Sequence, residues 1–131
     1  MSDVKFPQLR AEVVEAVRAL SDHDYQWRVW IRQEHPEPDW YDDFTLNVHV
    51  LFDDCRVLEA PTETIGDVLR SADEATAMLP LARALNTLFD RYGKHLSDEE
   101  YLNAPEWSTI VVAAGTALTA LTMDEHAAET T

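Results

Sequence analysis

The chain has 131 residues, with 25 acidic against 10 basic side chains and a formal net charge of −15. This length fits one domain with a core of its own, and an apolar content of 46% excludes wholesale disorder. A field of that sign repels nucleic acid and anionic membranes, so neither is expected as a partner, and it attracts basic proteins; a purely solubilising role for the charge is the simpler alternative.

Met1 to Arg10 lacks the basic start and apolar run of a signal peptide. A first helix is predicted from Pro7 to Leu20, because proline suits a first helical position and Leu9, Val13, Val17 and Leu20 recur at helical spacing. Glu12, Glu15 and Arg18 lie outside that stripe. Ser21 to Asp24 reads as a polar turn.

Tyr25 to Arg32 alternates: Tyr25, Trp27, Val29 and Ile31 on one side, Gln26, Arg28, Trp30 and Arg32 on the other. Phe44 to Phe52 repeats the pattern, with Phe44, Leu46, Val48, Val50 and Phe52 opposed to Thr45, Asn47, His49 and Leu51. Period two predicts half-buried strands. The Gln33–Asp43 connection holds two prolines and five acids, and neighbouring strands so joined pair antiparallel, with Val29 opposite Val48 and Arg28 opposite His49. Arg56 to Leu58 adds a short third strand.

The second half reads as helical. Ser71 and Glu74 form a capping box ahead of Ala75, Met78, Leu79, Ala82, Leu85, Leu88 and Phe89. Pro80 should kink or restart this segment, and Gly93 should end it. Ser97 and Glu100 make a second capping box. Asn103 is expected to cap a last helix, with Pro105 near its start and Trp107, Val111, Ala114, Leu118 and Leu121 as its stripe. Ile110 to Met123 is too short and threonine-rich to span a membrane. The expected fold is therefore α+β: an N-terminal helix, a two- or three-stranded antiparallel sheet, then two or three helices packed on one face. Residues 1–123 form a single domain and 124–131 a frayed tail.

The sequence contains no GxGxxG, GxxxxGK[ST], HExxH, CxxC or GxSxG, so no cofactor is expected and the balance leans away from an enzyme; no catalytic residue is assigned. Cys55, the single cysteine, follows Asp53-Asp54. Neighbouring carboxylates discourage its thiolate, and a lone thiol points to a reducing, cytoplasmic setting. His35 lies near Asp39, Asp42 and Asp43, but calcium-loop spacing is absent, so no metal site is assigned.

Two surfaces stand out. The acidic loop places Asp39, Asp42 and Asp43 beside Trp40 and Tyr41, a combination suited to anchoring a basic partner. The opposite sheet face carries Arg28, Trp30, Arg32, Asn47 and His49. It offers an arginine fork, a stacking plane and a proton-transfer group to an anionic or planar ligand.

The strings Arg28-Val29-Trp30-Ile31-Arg32 and Asp42-Asp43-Phe44-Thr45-Leu46-Asn47-Val48-His49, the Asp53-Asp54-Cys55 turn, Val68-Leu69-Arg70, Asp73-Glu74 and Pro80-Leu81 resemble a group of short, acidic, uncharacterised actinobacterial proteins. That resemblance carries no site residues with it. The first functional expectation is an interaction module, such as an immunity or inhibitor protein, that binds a basic partner through the acidic loop. The alternatives are a small-molecule or enzymatic site on the open sheet face, and a homodimeric structural subunit.

Overall fold

The computed structural model describes residues 4–34 and 41–130, the side chains of 124–130 excepted. Helix α1 spans Pro7–Ser21. Helix α2 begins as His23–Tyr25 and widens into a π-helical stretch, Gln26–Ile31. Helix α3 does the same, Phe44–His49 passing into π-helical Val50–Asp54. A 3₁₀ turn at Pro61–Thr64 leads to α4 (Ala72–Tyr92), α5 (Asp98–Leu102) and α6 (Trp107–Thr130).

The fold is all-helical, and the expected α+β class is wrong. No strand occurs among the described residues; the one β-bridge joins Ile65 and Leu69. Both segments read as strands are helices, so the pairing of Val29 with Val48 and of Arg28 with His49 does not exist. The buried residues of α2 are Gln26, Val29 and Trp30, a helical spacing. Tyr25, Trp27 and Ile31 are only half-buried beside them. The alternation arose because apolar residues flank the buried stripe on both sides, and their β-branched and aromatic character strengthened the strand signal. The deciding local signals are caps. Asp22 accepts from the Tyr25 N–H at 3.0 Å, and Asp43 from the Leu46 N–H at 2.7 Å, each satisfying an orphan donor of a first turn.

Other expectations change less. Pro80 neither breaks nor restarts α4. It sits on the exposed face, where the carbonyl it leaves unpaired is on the solvent side. Gly93 ends α4 at φ 76°, in the left-handed region that glycine adopts without strain. The Ser97–Glu100 capping box is present. Asn103, expected to cap the last helix, instead closes α5. Arg56 to Leu58 lies in a turn whose Leu58 N–H donates to the Leu51 carbonyl at 3.1 Å.

Helices α1 and α4 both pack on α6. Val13, Val17 and Leu20 of α1 and Met78, Leu81, Leu85 and Leu88 of α4 belong to one buried core with Ile110, Ala114, Ala117 and Leu121 of α6. At one end of this core lies an ion pair. Arg10, on α1, donates to both Glu74 carboxylate oxygens at 2.8 Å, to the Val68 carbonyl at 3.1 Å and to the Leu121 carbonyl at 3.3 Å. Glu74 also accepts from the Arg70 N–H at 2.8 Å. This joins α1, α4, α6 and the turn before α4. Removing one partner strands a buried charge, which costs about 3–5 kcal/mol, whereas replacing both with apolar residues is often near neutral. Arg10→Met is therefore expected to lower the urea unfolding free energy by about 3–5 kcal/mol, and the double variant Arg10→Met/Glu74→Met to recover much of that loss. A double variant as unstable as the sum of the singles would contradict this reading.

Candidate functional site

Helices α1 and α3 lie side by side, and the channel between them is a groove of about 650 Å³. Ala16 and Ala19 of α1 and Val50 of α3 line it with apolar surface, and Tyr25 lines it too. Tyr41 and Leu46 overhang it and are 60% and 45% exposed. The rim is carboxylate: Glu12, Glu15 and Asp22 from the α1 side, Asp54 from the end of α3. Among the described residues the rim carries one cation, Arg18, which is drawn onto Glu15 at 3.3 Å. The groove thus sets exposed apolar and aromatic surface inside a ring of negative charge, an arrangement that recognises a basic amphipathic segment.

The five residues assigned to partner binding from the sequence separate into different roles. Asp39 and Trp40 lie outside the described residues. Asp42 is a buried structural acceptor: its Oδ2 receives the Tyr25 hydroxyl and the Trp30 indole N–H, both at 2.8 Å, and its Oδ1 the Asn47 amide at 2.9 Å. Asp43 caps α3 and accepts from the Tyr41 hydroxyl. That hydrogen bond, with some desolvation and the nearby carboxylates, pushes the Tyr41 pKa up to about 12. Of the three that are described, Tyr41 is the one whose side chain lines the groove and is largely exposed.

The second group does not share a sheet face, because no sheet occurs among the described residues. Trp30 and Asn47 are buried on Asp42. Arg28 on α2 and Arg32 just past its end are exposed, paired with Asp24 at 2.9 Å and Glu34 at 3.6 Å. His49 stands apart on α3, its Nδ1 2.5 Å from Asp53, at the mouth of a second cleft.

Behind the groove, Phe44 packs edge-on against Trp107 and Tyr101, with centroids at 5.1 and 5.2 Å, and lies 6.0 Å from Trp30. Gln26 donates to the carbonyls of Ala19 and Leu20 and accepts from the Trp107 indole N–H at 2.9 Å. These contacts fix α2 and α3 against α1 and α6. Cys55 is buried beneath, its thiol 3.7 Å from the Leu9 carbonyl oxygen. Burial, then Glu12 and Asp54, push its pKa up to about 11. Glu12, Glu15, Asp22 and Asp54 were each visible as acids in the sequence, Glu12 and Glu15 on the polar side of the first helix. What the sequence could not supply was that α3 is a helix lying beside α1.

Among the described residues no group of three or more histidine, cysteine, aspartate or glutamate side chains is arranged to hold a metal ion, and no helix is long and apolar enough to cross a membrane.

Two measurements check these electrostatics. Because its thiol stays protonated, Cys55 should react with iodoacetamide very slowly at neutral pH and rapidly once urea unfolds the chain; fast alkylation of the folded protein at pH 7 would contradict the burial. Asp98 accepts from the Phe44 N–H at 3.1 Å, yet burial, with Asp43 and Asp42 nearby, raises its pKa above 3.8. The fold therefore binds that proton more tightly than the unfolded chain does. Stability from this group is complete below the unfolded pKa and is lost as pH rises through the folded value. Asp98→Asn should accordingly gain stability relative to the native chain between pH 3 and pH 6, read by urea midpoints; a difference that is flat or falls across that range would refute the shift.

No curated protein and no solved structure matches the chain. A protein-family model described as a domain of unknown function (DUF7945) matches residues 4–129, so the chain belongs to that family.

Proposed function

We propose that this protein is an interaction module that captures a basic, amphipathic segment of a partner protein in the groove between α1 and α3. The observation that carries the reading is the joining of exposed Tyr41 and Leu46 with a rim of Glu12, Glu15, Asp22 and Asp54. Apolar contacts on the floor supply affinity, while the carboxylates steer approach and reject acidic competitors. The anchors differ from those the acidic loop suggested, since Asp42 and Asp43 are committed to internal hydrogen bonds. An immunity or inhibitor protein that caps a basic toxin or nuclease is the concrete form we favour, acting in the cytoplasm, where a single unpaired cysteine is at home.

A second observation favours self-association as the competing reading. Leu79 on α4 and Val112 on α6 are 45% and 69% exposed, and a shallow trough over Pro80, Val112, Ala113 and Thr116 separates the two helices. A two-fold partner would cover this strip.

The test compares the native chain with the triple variant Glu12→Gln/Glu15→Gln/Asp54→Asn, all at exposed positions. Each is used as bait at low and high salt, with light scattering of the bait alone. A basic protein retained by the native chain at low salt, lost at high salt, and lost by the variant at both would support the groove. Equal retention by both baits, or a dimer that forms regardless of the variant, would count against it.

A further inference from the structure

We infer that the cleft between α3, the end of α4 and α5 is a binding site for a small aromatic acid. This cleft encloses about 320 Å³ and is distinct from the α1–α3 groove. Ligand sites run from roughly 300 Å³ upwards, so this one takes a one- or two-ring molecule with a short arm.

Its floor is made of rings. Phe44, Phe52, Phe89 and Tyr101 line it, with Phe44 and Phe89 centroids 5.9 Å apart and Phe89 and Tyr101 6.0 Å apart. The Tyr101 hydroxyl is turned away, donating to the Gly93 carbonyl at 2.5 Å. Phe44 and Tyr101 are buried and back the floor, while half-buried Phe52 and Phe89 supply the ring surface that is open, and a planar aromatic body is the shape that covers it.

The rim selects charge. Two of its carboxylates are already engaged: Asp53 by His49 Nδ1 at 2.5 Å, and Glu59 by Arg56 Nε at 3.1 Å. Lys94 is in a different position. Its ammonium lies 5.7 Å from the Phe89 ring centroid, and among the described residues no carboxylate stands within ion-pair distance of it. With His49 held through Nδ1, its Nε2 is the ring nitrogen left for a ligand, and Asn86 adds an amide to the lining. A carboxylate arm on an aromatic ligand would meet Lys94 and His49 while its ring lies on the phenylalanines.

Full-length protein labelled with ¹⁵N would be titrated with three compounds that share one ring system: indole-3-acetate, the neutral alcohol tryptophol and the cation tryptamine. Indole-3-acetate is expected to shift amides at Val48–Asp53, Phe89–Lys94 and Tyr101. Tryptophol should bind about tenfold more weakly and tryptamine more weakly still, the scale of a charged hydrogen bond lost. Lys94→Gln should remove the preference for the acid, and Lys94→Arg should keep it. Both variants change an exposed side chain, and their spectra would confirm an intact fold. Equal binding of all three compounds, shifts that cluster elsewhere, an acid preference that survives Lys94→Gln, or no shift with any compound at millimolar concentration would each overturn the inference.

Discussion

The bidentate contact between Arg10 and Glu74 sets the frame for the other packing. It is made between the first turns of α1 and α4, takes in the Leu121 carbonyl in the second half of α6, and is buried. Two ions out of water do not by themselves stabilise a fold, because desolvation offsets most of their attraction. What the pair imposes is a single alignment. Any slip of α1 along α6, or of α4 against either, would separate a buried charge from its partner. The apolar contacts of Val17, Leu85 and Ala117 would tolerate small slips; the ion pair would not.

A second polar junction places the functional surface. Asp42 gathers the hydroxyl of Tyr25, the indole of Trp30 and the amide of Asn47, tying α2 to the start of α3. Gln26 ties α2 to the end of α1 and to Trp107. Together they hold α3 alongside α1, and that neighbourhood creates the groove. The acidic residues around these junctions divide their labour: Asp42, Asp43 and Asp98 serve the fold, while Glu12, Glu15 and Asp54 face solvent.

Much of the helical half was legible. Ser71, Gly93, Ser97 and Glu100 carry local signals whose physics is complete within a turn or two, whereas the Glu74 side chain, expected to complete a capping box, is committed to Arg10 on a distant helix. The α2 and α3 segments were misread because alternation is ambiguous in short helices with a wide apolar arc. Asp22 and Asp43 held the correct information as caps, and the Asp24–Arg28 and His49–Asp53 pairs repeated it at helical spacing. Trp30 was assigned to an open face and is 5% exposed, since its indole N–H is answered by Asp42. Neither the groove nor the aromatic cleft was legible, because each is made by helices distant in sequence, and only the tertiary arrangement brings Glu12 near Asp54 or Lys94 near His49.

On this account the strong negative charge has a local focus at a surface with apolar floor, and the α1–α3 groove is where a basic partner lies. Hydrogen–deuterium exchange of the full chain with a synthetic amphipathic peptide, leucine on one helical face and arginine on the other, addresses that claim most directly. The account expects added protection in residues 11–22 and 41–54, strongest at low salt and weakened in Glu12→Gln/Glu15→Gln/Asp54→Asn. Protection confined to the α4–α6 face, or protection unchanged in the variant, would contradict it.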